Sequence, residues 1–298
     1  MDRRGFLKTL GLAGVTVACP KGAAAAPPEG AGEAYGVLVD TTRCVGCNTC
    51  TYACAEANGL PEPDEPENVH VTSENQWTAI QSFKTSRGTV HVKRQCMHCA
   101  LPACASACLT QAMKKSAAGP VEWREDKCMG CRFCMISCPF DMPKFEYSSA
   151  KPRIRKCSMC ADRVRKGQEP ACVESCPEGA LTFGKRSDLL QMAEKRIATE
   201  PGRYVPQIYG EREVGGTSWL YLAGVPFDQI GFRTDLDNEP YPMLTTGFLY
   251  NVPVVLAVVP PLLLALSKAT RRAAGEDGEG EGTGAGDTSD DAHEEAKS

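Results

Sequence analysis

Apolar positions come in short runs up to about residue 244, then in one long run. Tyr35-Gly-Val-Leu-Val-Asp40 has the length and composition of a strand, and it leads straight into a cysteine loop at Cys44. Trp77 to Phe83 and Thr89 to Lys93 read as two arms of a hairpin closed at Arg87-Gly88, and Val121-Glu-Trp123 as a short strand before Cys128. After the last cysteine of a loop the pattern reads as a short helix and then a strand. Cys176-Pro-Glu-Gly-Ala180-Leu-Thr-Phe183-Gly184 is the clearest example, echoed by Cys108-Leu-Thr-Gln-Ala112-Met113. Ser187 reads as the N-cap of an amphipathic helix to about Thr199, with Leu189, Leu190, Ala193 and Ile197 on one side. Residues 55–95 begin as a polar insertion broken by Pro61, Pro63 and Pro66. These elements predict an α+β fold.

The long run, Thr245 to Ser267, is 23 residues without a formal charge, enough to span a bilayer. Asn251, Pro253, Pro260 and Pro261 interrupt it, and such residues are tolerated where neighbouring helices satisfy the freed backbone groups. That points to a membrane partner. Lys268, Arg271 and Arg272 follow at once and, by the positive-inside rule, place the C-terminus in the cytoplasm. At the other end, Asp2-Arg3-Arg4-Gly5-Phe6-Leu7-Lys8 and the weakly apolar run to Cys19 read as a twin-arginine export signal, with an Ala-x-Ala site within Ala23 to Ala26. The two ends agree on an exported, anchored protein. The expected organisation is a signal over 1–26, a cysteine-rich domain over 34–186, an extension over 187–244, a transmembrane helix over 245–267 and a disordered acidic cytoplasmic tail over 268–298.

Charge adds little. The net charge is −4, but residues 275–298 hold nine acids and one lysine, leaving a mild positive excess elsewhere that is no nucleic-acid signature. The 17 cysteines are the unusual feature, and the sparse aromatics suggest that bound groups, rather than a large aromatic core, hold the fold together.

Cys128-x2-Cys131-x2-Cys134-x3-Cys138-Pro139 is the bacterial run for a [4Fe–4S] cluster. A cubane offers four irons at tetrahedral corners; a tight loop wraps three, and the fourth cysteine points away towards a neighbouring cluster. Zinc sites ordinarily use two separated Cys-x2-Cys pairs or Cys/His mixtures. Cys44, Cys47, Cys50 and Cys54 form a second full run. Cys96, Cys99, Cys104 and Cys108 form another with a wider middle gap, and Cys157, Cys160, Cys172 and Cys176 one with a longer insertion. Sixteen thiolates match four clusters, and the leftover Cys19 falls in the signal. Twin-arginine export carries folded proteins, so clusters inserted in the cytoplasm occupy these thiols before disulfides can form. His98, inside Cys96-Met-His-Cys99, reads as a donor beside a cluster rather than a ligand, with His91 also near this run; His70 and His293 read as surface residues. No catalytic constellation or dinucleotide fingerprint is present, which favours a non-catalytic electron carrier over a stand-alone enzyme or a storage protein.

The chain resembles the ferredoxin-like electron-transfer subunits of respiratory membrane complexes, over nearly its whole length. Lys93-Arg94-Gln95-Cys96-Met97-His98-Cys99, Gly130-Cys131-Arg132-Phe133-Cys134-Met135, Pro143-Lys144-Phe145, Gly215-Gly216-Thr217 and Gly224-Val225-Pro226 resemble HybA-like subunits of hydrogenase-2-type [NiFe] hydrogenases. The stretch from Cys157 to Gly184 resembles formate dehydrogenase-N β subunits, and dimethyl sulfoxide reductase β subunits belong to the same wider family. The resemblance implies duplicated ferredoxin-like lobes binding four [4Fe–4S] clusters, plus one C-terminal transmembrane helix. Carried over by position, Cys44, Cys47, Cys50 and Cys176 hold cluster 1, and Cys54, Cys157, Cys160 and Cys172 cluster 2. Cys96, Cys99, Cys104 and Cys138 hold cluster 3, and Cys108, Cys128, Cys131 and Cys134 cluster 4. The implied partners are the small and large hydrogenase subunits or, alternatively, a molybdopterin subunit, together with an integral quinone-reactive subunit, on the periplasmic face of the cytoplasmic membrane.

Overall fold

A computed structural model describes residues 34–63 and 71–274. The export signal, Cys19, His70 and the tail from Gly275 with His293 lie outside the described residues. Residues up to Gly247 form one compact unit and those from Phe248 a second.

The first unit is built around β1 (Tyr35–Asp40), the middle strand of a three-stranded sheet. It pairs antiparallel with β8 (Leu181–Lys185) and parallel with β9 (Trp219–Leu222), so that Val37 stands between Phe183 and Trp219. Both faces of β1 are covered, which is why its sequence is a continuous apolar run rather than an alternation. Val37 and Val39 face the main core. Leu38 faces the other way, onto Leu189 and Ala193 of α6 (Arg186–Thr199). Ser187 lies inside α6, and the N-cap position falls to Lys185. The expected cap is therefore displaced by two residues, because β8 runs directly into the helix.

Three further ladders are two-stranded. They are β2 (Ala79–Thr85) with β3 (Gly88–Arg94), β4 (Met113–Lys115) with β5 (Val121–Trp123), and β6 (Lys144–Phe145) with β7 (Ile154–Arg155). Each strand before a cysteine run pairs with the strand after the preceding run, and β8 with β1 closes the circle.

The short helices correct the sequence reading. α1 (Thr49–Asn58), α2 (Ala103–Ser106), α3 (Phe133–Ile136) and α5 (Ala171–Glu174) each carry the third cysteine of a run, and a turn, not a helix, follows the fourth cysteine in the last three runs. In the first run α1 simply continues through Cys54. α4 (Ala161–Arg165) fills the insertion of the fourth run.

The aromatic expectation is also corrected. Although scarce in the whole chain, aromatics concentrate in residues 204–232. Tyr209, Tyr221, Phe227 and Phe232 pack ring against ring with centroids 4.4–6.5 Å apart, and Arg94 lies 4.0 Å over Phe232. Trp219 is wholly buried. The stretch expected to be an extension thus supplies both a sheet strand and much of the core. Aromatic pairs of this kind contribute about 0.5–1.5 kcal/mol each beyond their area burial.

Asp40 ends β1 with no exposure to solvent. Its carboxylate accepts hydrogen bonds from the Thr42 amide (3.1 Å) and hydroxyl (2.6 Å), the Tyr204 hydroxyl (2.8 Å) and Arg196 (3.2 Å). This network fixes the turn that delivers Cys44.

α7 (Tyr241–Ala274) continues into the second unit, with Pro253, Pro260 and Pro261 inside it. Over Tyr241–Arg271 it is long and apolar enough to cross a membrane. Its leucines, valines and Phe248 are largely exposed, as a bilayer-facing or partner-facing helix requires.

Candidate iron–sulfur site

In all four runs the residue before the second cysteine has a positive φ: Gly46, His98, Gly130 and Met159. This is glycine's conformation. At His98 and Met159 an ordinary side chain is held in it, a cost that structures tolerate mainly at functional sites. At Gly46 (φ 77°) a Cβ would also stand 2.5 Å from the His91 ring. His91 therefore packs on the first run, not on the second as its sequence position suggests.

The fold brings together cysteines far apart in sequence. Pairing of β8 with β1 sets Cys176 beside the first run, and Cys44, Cys47, Cys50 and Cys176 line one cavity. Pairing of β4 with β5 does the same for the second and third runs, and Cys108, Cys128, Cys131 and Cys134 line another cavity. Helix packing brings together the remaining eight. α1 lies on α5, placing Cys54 near Cys172, Cys160 and Cys157. α2 lies on α3, placing Cys138 near Cys96, Cys99 and Cys104. Each lobe is thus a strand pair and a helix pair that exchange the fourth cysteines of two runs.

These sites suit a cluster rather than a lone ion. Among the described residues no three His, Cys, Asp or Glu side chains converge as a single metal ion requires. Eight of the thiols ring two cavities instead, as one thiolate per iron demands. Donors also point at sulfur. The Ala112 amide (3.2 Å) and Thr110 hydroxyl (3.6 Å) reach Cys108, the Thr49 hydroxyl reaches Cys47 (3.3 Å), and the Met159 amide reaches Cys157 (3.3 Å). Burial pushes most of the thiols up, Cys50 and Cys104 to about 12 and Cys54, Cys134 and Cys138 to about 11. Cys108, by contrast, is lowered: its modest burial is outweighed by the donors around it.

His98 is wholly buried. Its Nδ1 accepts the Val121 amide (2.8 Å), so the proton sits on Nε2. Nε2 has no partner at hydrogen-bonding geometry, although the Cys157 backbone is near enough to favour the protonated ring. Burial first, then Lys156 and Lys115, hold the ring neutral. An orphaned N–H between two cysteine groups fits a sulfur acceptor at the site.

A profile of 4Fe-4S dicluster domains matches residues 89–186, which span the cysteines from Cys96 to Cys176. A protein of Nitratidesulfovibrio vulgaris is 43% identical, covering 91% of this chain and 78% of its own. The hydrogenase-2 operon protein HybA of Escherichia coli is 34% identical, over 77% of this chain and 83% of its own. The chain belongs to the HybA family. The nitrate-inducible formate dehydrogenase iron–sulfur subunit of Escherichia coli is also 34% identical, over 62% of this chain and 66% of its own.

For this HybA-family chain, sequence reasoning picked out the cysteines but missed the charges behind them. Lys93 and Lys156 are buried and Lys115 nearly so. The Lys115 ammonium donates to the His98 carbonyl (2.9 Å) and Ser218 (3.2 Å), and that of Lys156 to the carbonyls of Val121 and Cys157. Among the described residues none of the three forms an ion pair with a carboxylate. The one sequence signal was Lys93 itself, standing in a strand arm that ends at a cysteine run.

Proposed function

We propose that this chain is the electron-transfer subunit of a periplasm-facing respiratory complex, carrying electrons through four [4Fe–4S] clusters between a [NiFe] hydrogenase and a quinone-reactive membrane subunit. The observation that supports the proposal is that two groups of four cysteines, each three from one run and the fourth of its partner run, line two cavities, while two helix pairs bring the other eight towards one another. The proposed ligands are Cys44, Cys47, Cys50 and Cys176 for cluster 1 and Cys54, Cys157, Cys160 and Cys172 for cluster 2. They are Cys96, Cys99, Cys104 and Cys138 for cluster 3 and Cys108, Cys128, Cys131 and Cys134 for cluster 4. When bound, such clusters supply reversible one-electron transfer. The protein's own part is to fix the thiolates and aim amide and hydroxyl donors at sulfur. No iron corner lacks a thiolate, so no open site for a substrate is expected.

The membrane link rests on α7 and on the basic residues after it, and export on Arg3-Arg4 with the proposed signal over 1–26. We place the cluster domain at 34–186 outside the cytoplasm, the helix at 245–267 in the bilayer, and the acidic tail inside. Two considerations favour a hydrogenase over a formate dehydrogenase partner. The HybA match covers more of this chain than the formate dehydrogenase match, and a subunit with its own export signal has no need of a partner's. Deleting this chain should abolish hydrogen-driven quinone reduction in membranes while sparing hydrogen oxidation with an artificial dye. Loss of formate-driven quinone reduction instead, with the hydrogen route intact, would move the assignment to the formate dehydrogenase branch.

A further inference from the structure

Lys93 projects from β3 into the heart of the first lobe, 2% exposed. It lines the same cavity as Cys44, Cys47, Cys50 and Cys176. Its ammonium donates to Gln95 Oε1 (3.1 Å) and Thr78 Oγ1 (3.4 Å) and stands 4.5 Å over the Trp219 ring. The Thr78 hydroxyl in turn reaches the Cys54 thiol, which belongs to the other cysteine set of the lobe. Gln95 is itself held, donating to the Tyr221 hydroxyl (2.7 Å), which donates to the Lys93 carbonyl (2.9 Å). The ammonium is thus pinned between two groups of thiols, with no carboxylate paired to it among the described residues.

A buried cation without a counter-ion is costly. The charges that act on this ammonium are those of Cys172, Cys50 and Cys157, so the counter-charge on offer is thiolate. Those three cysteines come from both sets of the lobe. Cys108 and Cys134 of the opposite lobe line a separate cavity, and Lys93 is not part of its wall.

We propose that Lys93 is the shared electrostatic counter-charge of clusters 1 and 2 and raises the reduction potential of both, leaving cluster 4 to be set by its own donors. Adding an electron adds a negative charge, and a fixed cation in a low-dielectric interior favours that step. This inference builds on the four-cluster reading.

The test is a redox titration, followed by electron paramagnetic resonance, of the full-length protein in its membrane complex. Lys93→Met keeps the length and removes the charge; Lys93→Arg keeps the charge. In Lys93→Met two signals should move to more negative potential, each by at least a tenfold change in the reduction equilibrium, about 59 mV for one electron. The cluster 4 signal should stay, and Lys93→Arg should lie close to the parent. A uniform shift of all signals, no shift, or equal shifts in the Met and Arg variants would overturn the proposal. Should Lys93→Met fail to load iron, Lys93→Gln preserves a hydrogen bond without the charge and must show the same two-signal shift. Should that fail too, Gln95→Leu decides, because it removes the other anchor of the ammonium: a shift of two signals of this lobe upholds the shared counter-charge, and a shift of one or none overturns it. Iron counted on the parent protein separates failure of this inference from failure of the four-cluster reading.

Discussion

Asp40→Ala removes the one buried carboxylate of the turn that delivers the first cysteine run. It strands the Tyr204 hydroxyl, the Thr42 amide and hydroxyl, and the Arg196 guanidinium, all of which Asp40 now accepts. Breaking a buried pair by deleting one partner costs about 3–5 kcal/mol. The Arg196 side chain retains 20% exposure, so water can take over part of its solvation. That puts the expected loss at the lower end, about 3 kcal/mol, or roughly 6–12 °C in the melting temperature of a domain this size. The assay is thermal loss of visible cluster absorption from the anaerobic holoprotein, compared at one scan rate because such loss is irreversible. Arg196→Met and the double variant complete a cycle, in which the two shifts in melting temperature should fall clearly short of adding. A melting temperature within roughly 3 °C of the parent, or additivity in the cycle, would refute the claim that this network holds the first loop.

Thr110→Val deletes a hydroxyl 3.6 Å from the Cys108 sulfur and should lower the potential of the cluster held by Cys108, Cys128, Cys131 and Cys134, with iron content unchanged; an unaltered potential would discount that donor. Cluster loading into apoprotein should improve as pH rises from about 7 to about 9. Burial pushes Cys50 and Cys104 up to about 12, so these thiols hold their protons near neutrality, and loading must release them. Loading that is independent of pH would contradict this.

What could be read from the sequence follows from how local each signal is. Cysteine spacing is set by cluster geometry within a loop, so all four runs were visible. β1 and β5 were legible as apolar runs feeding cysteine loops, and the β2–β3 hairpin as two arms around a glycine turn. The helices of four residues were misplaced because they are shorter than the window over which a helical period shows. β9 was passed over although Trp219-Leu-Tyr-Leu222 is plainly apolar, because its partner β1 lies far away in sequence and the pairing is parallel. Lys93 follows Val92 in an alternating arm, where a lysine ordinarily marks the wet face. Only the closure of the lobe around it reveals that the face is dry. Asp40 is similar: a carboxylate at a strand end looks like a turn residue until Arg196 and Tyr204 arrive from the other end of the domain.

The central claim is that sixteen cysteines serve four cubanes, and counting iron and acid-labile sulfide in anaerobically purified protein tests it most directly. The account predicts near sixteen irons and sixteen sulfides per chain, with almost no free thiol reacting in the native state. A repeatable stoichiometry near eight, with about half of the thiols titrating, would contradict it and leave a two-cluster protein.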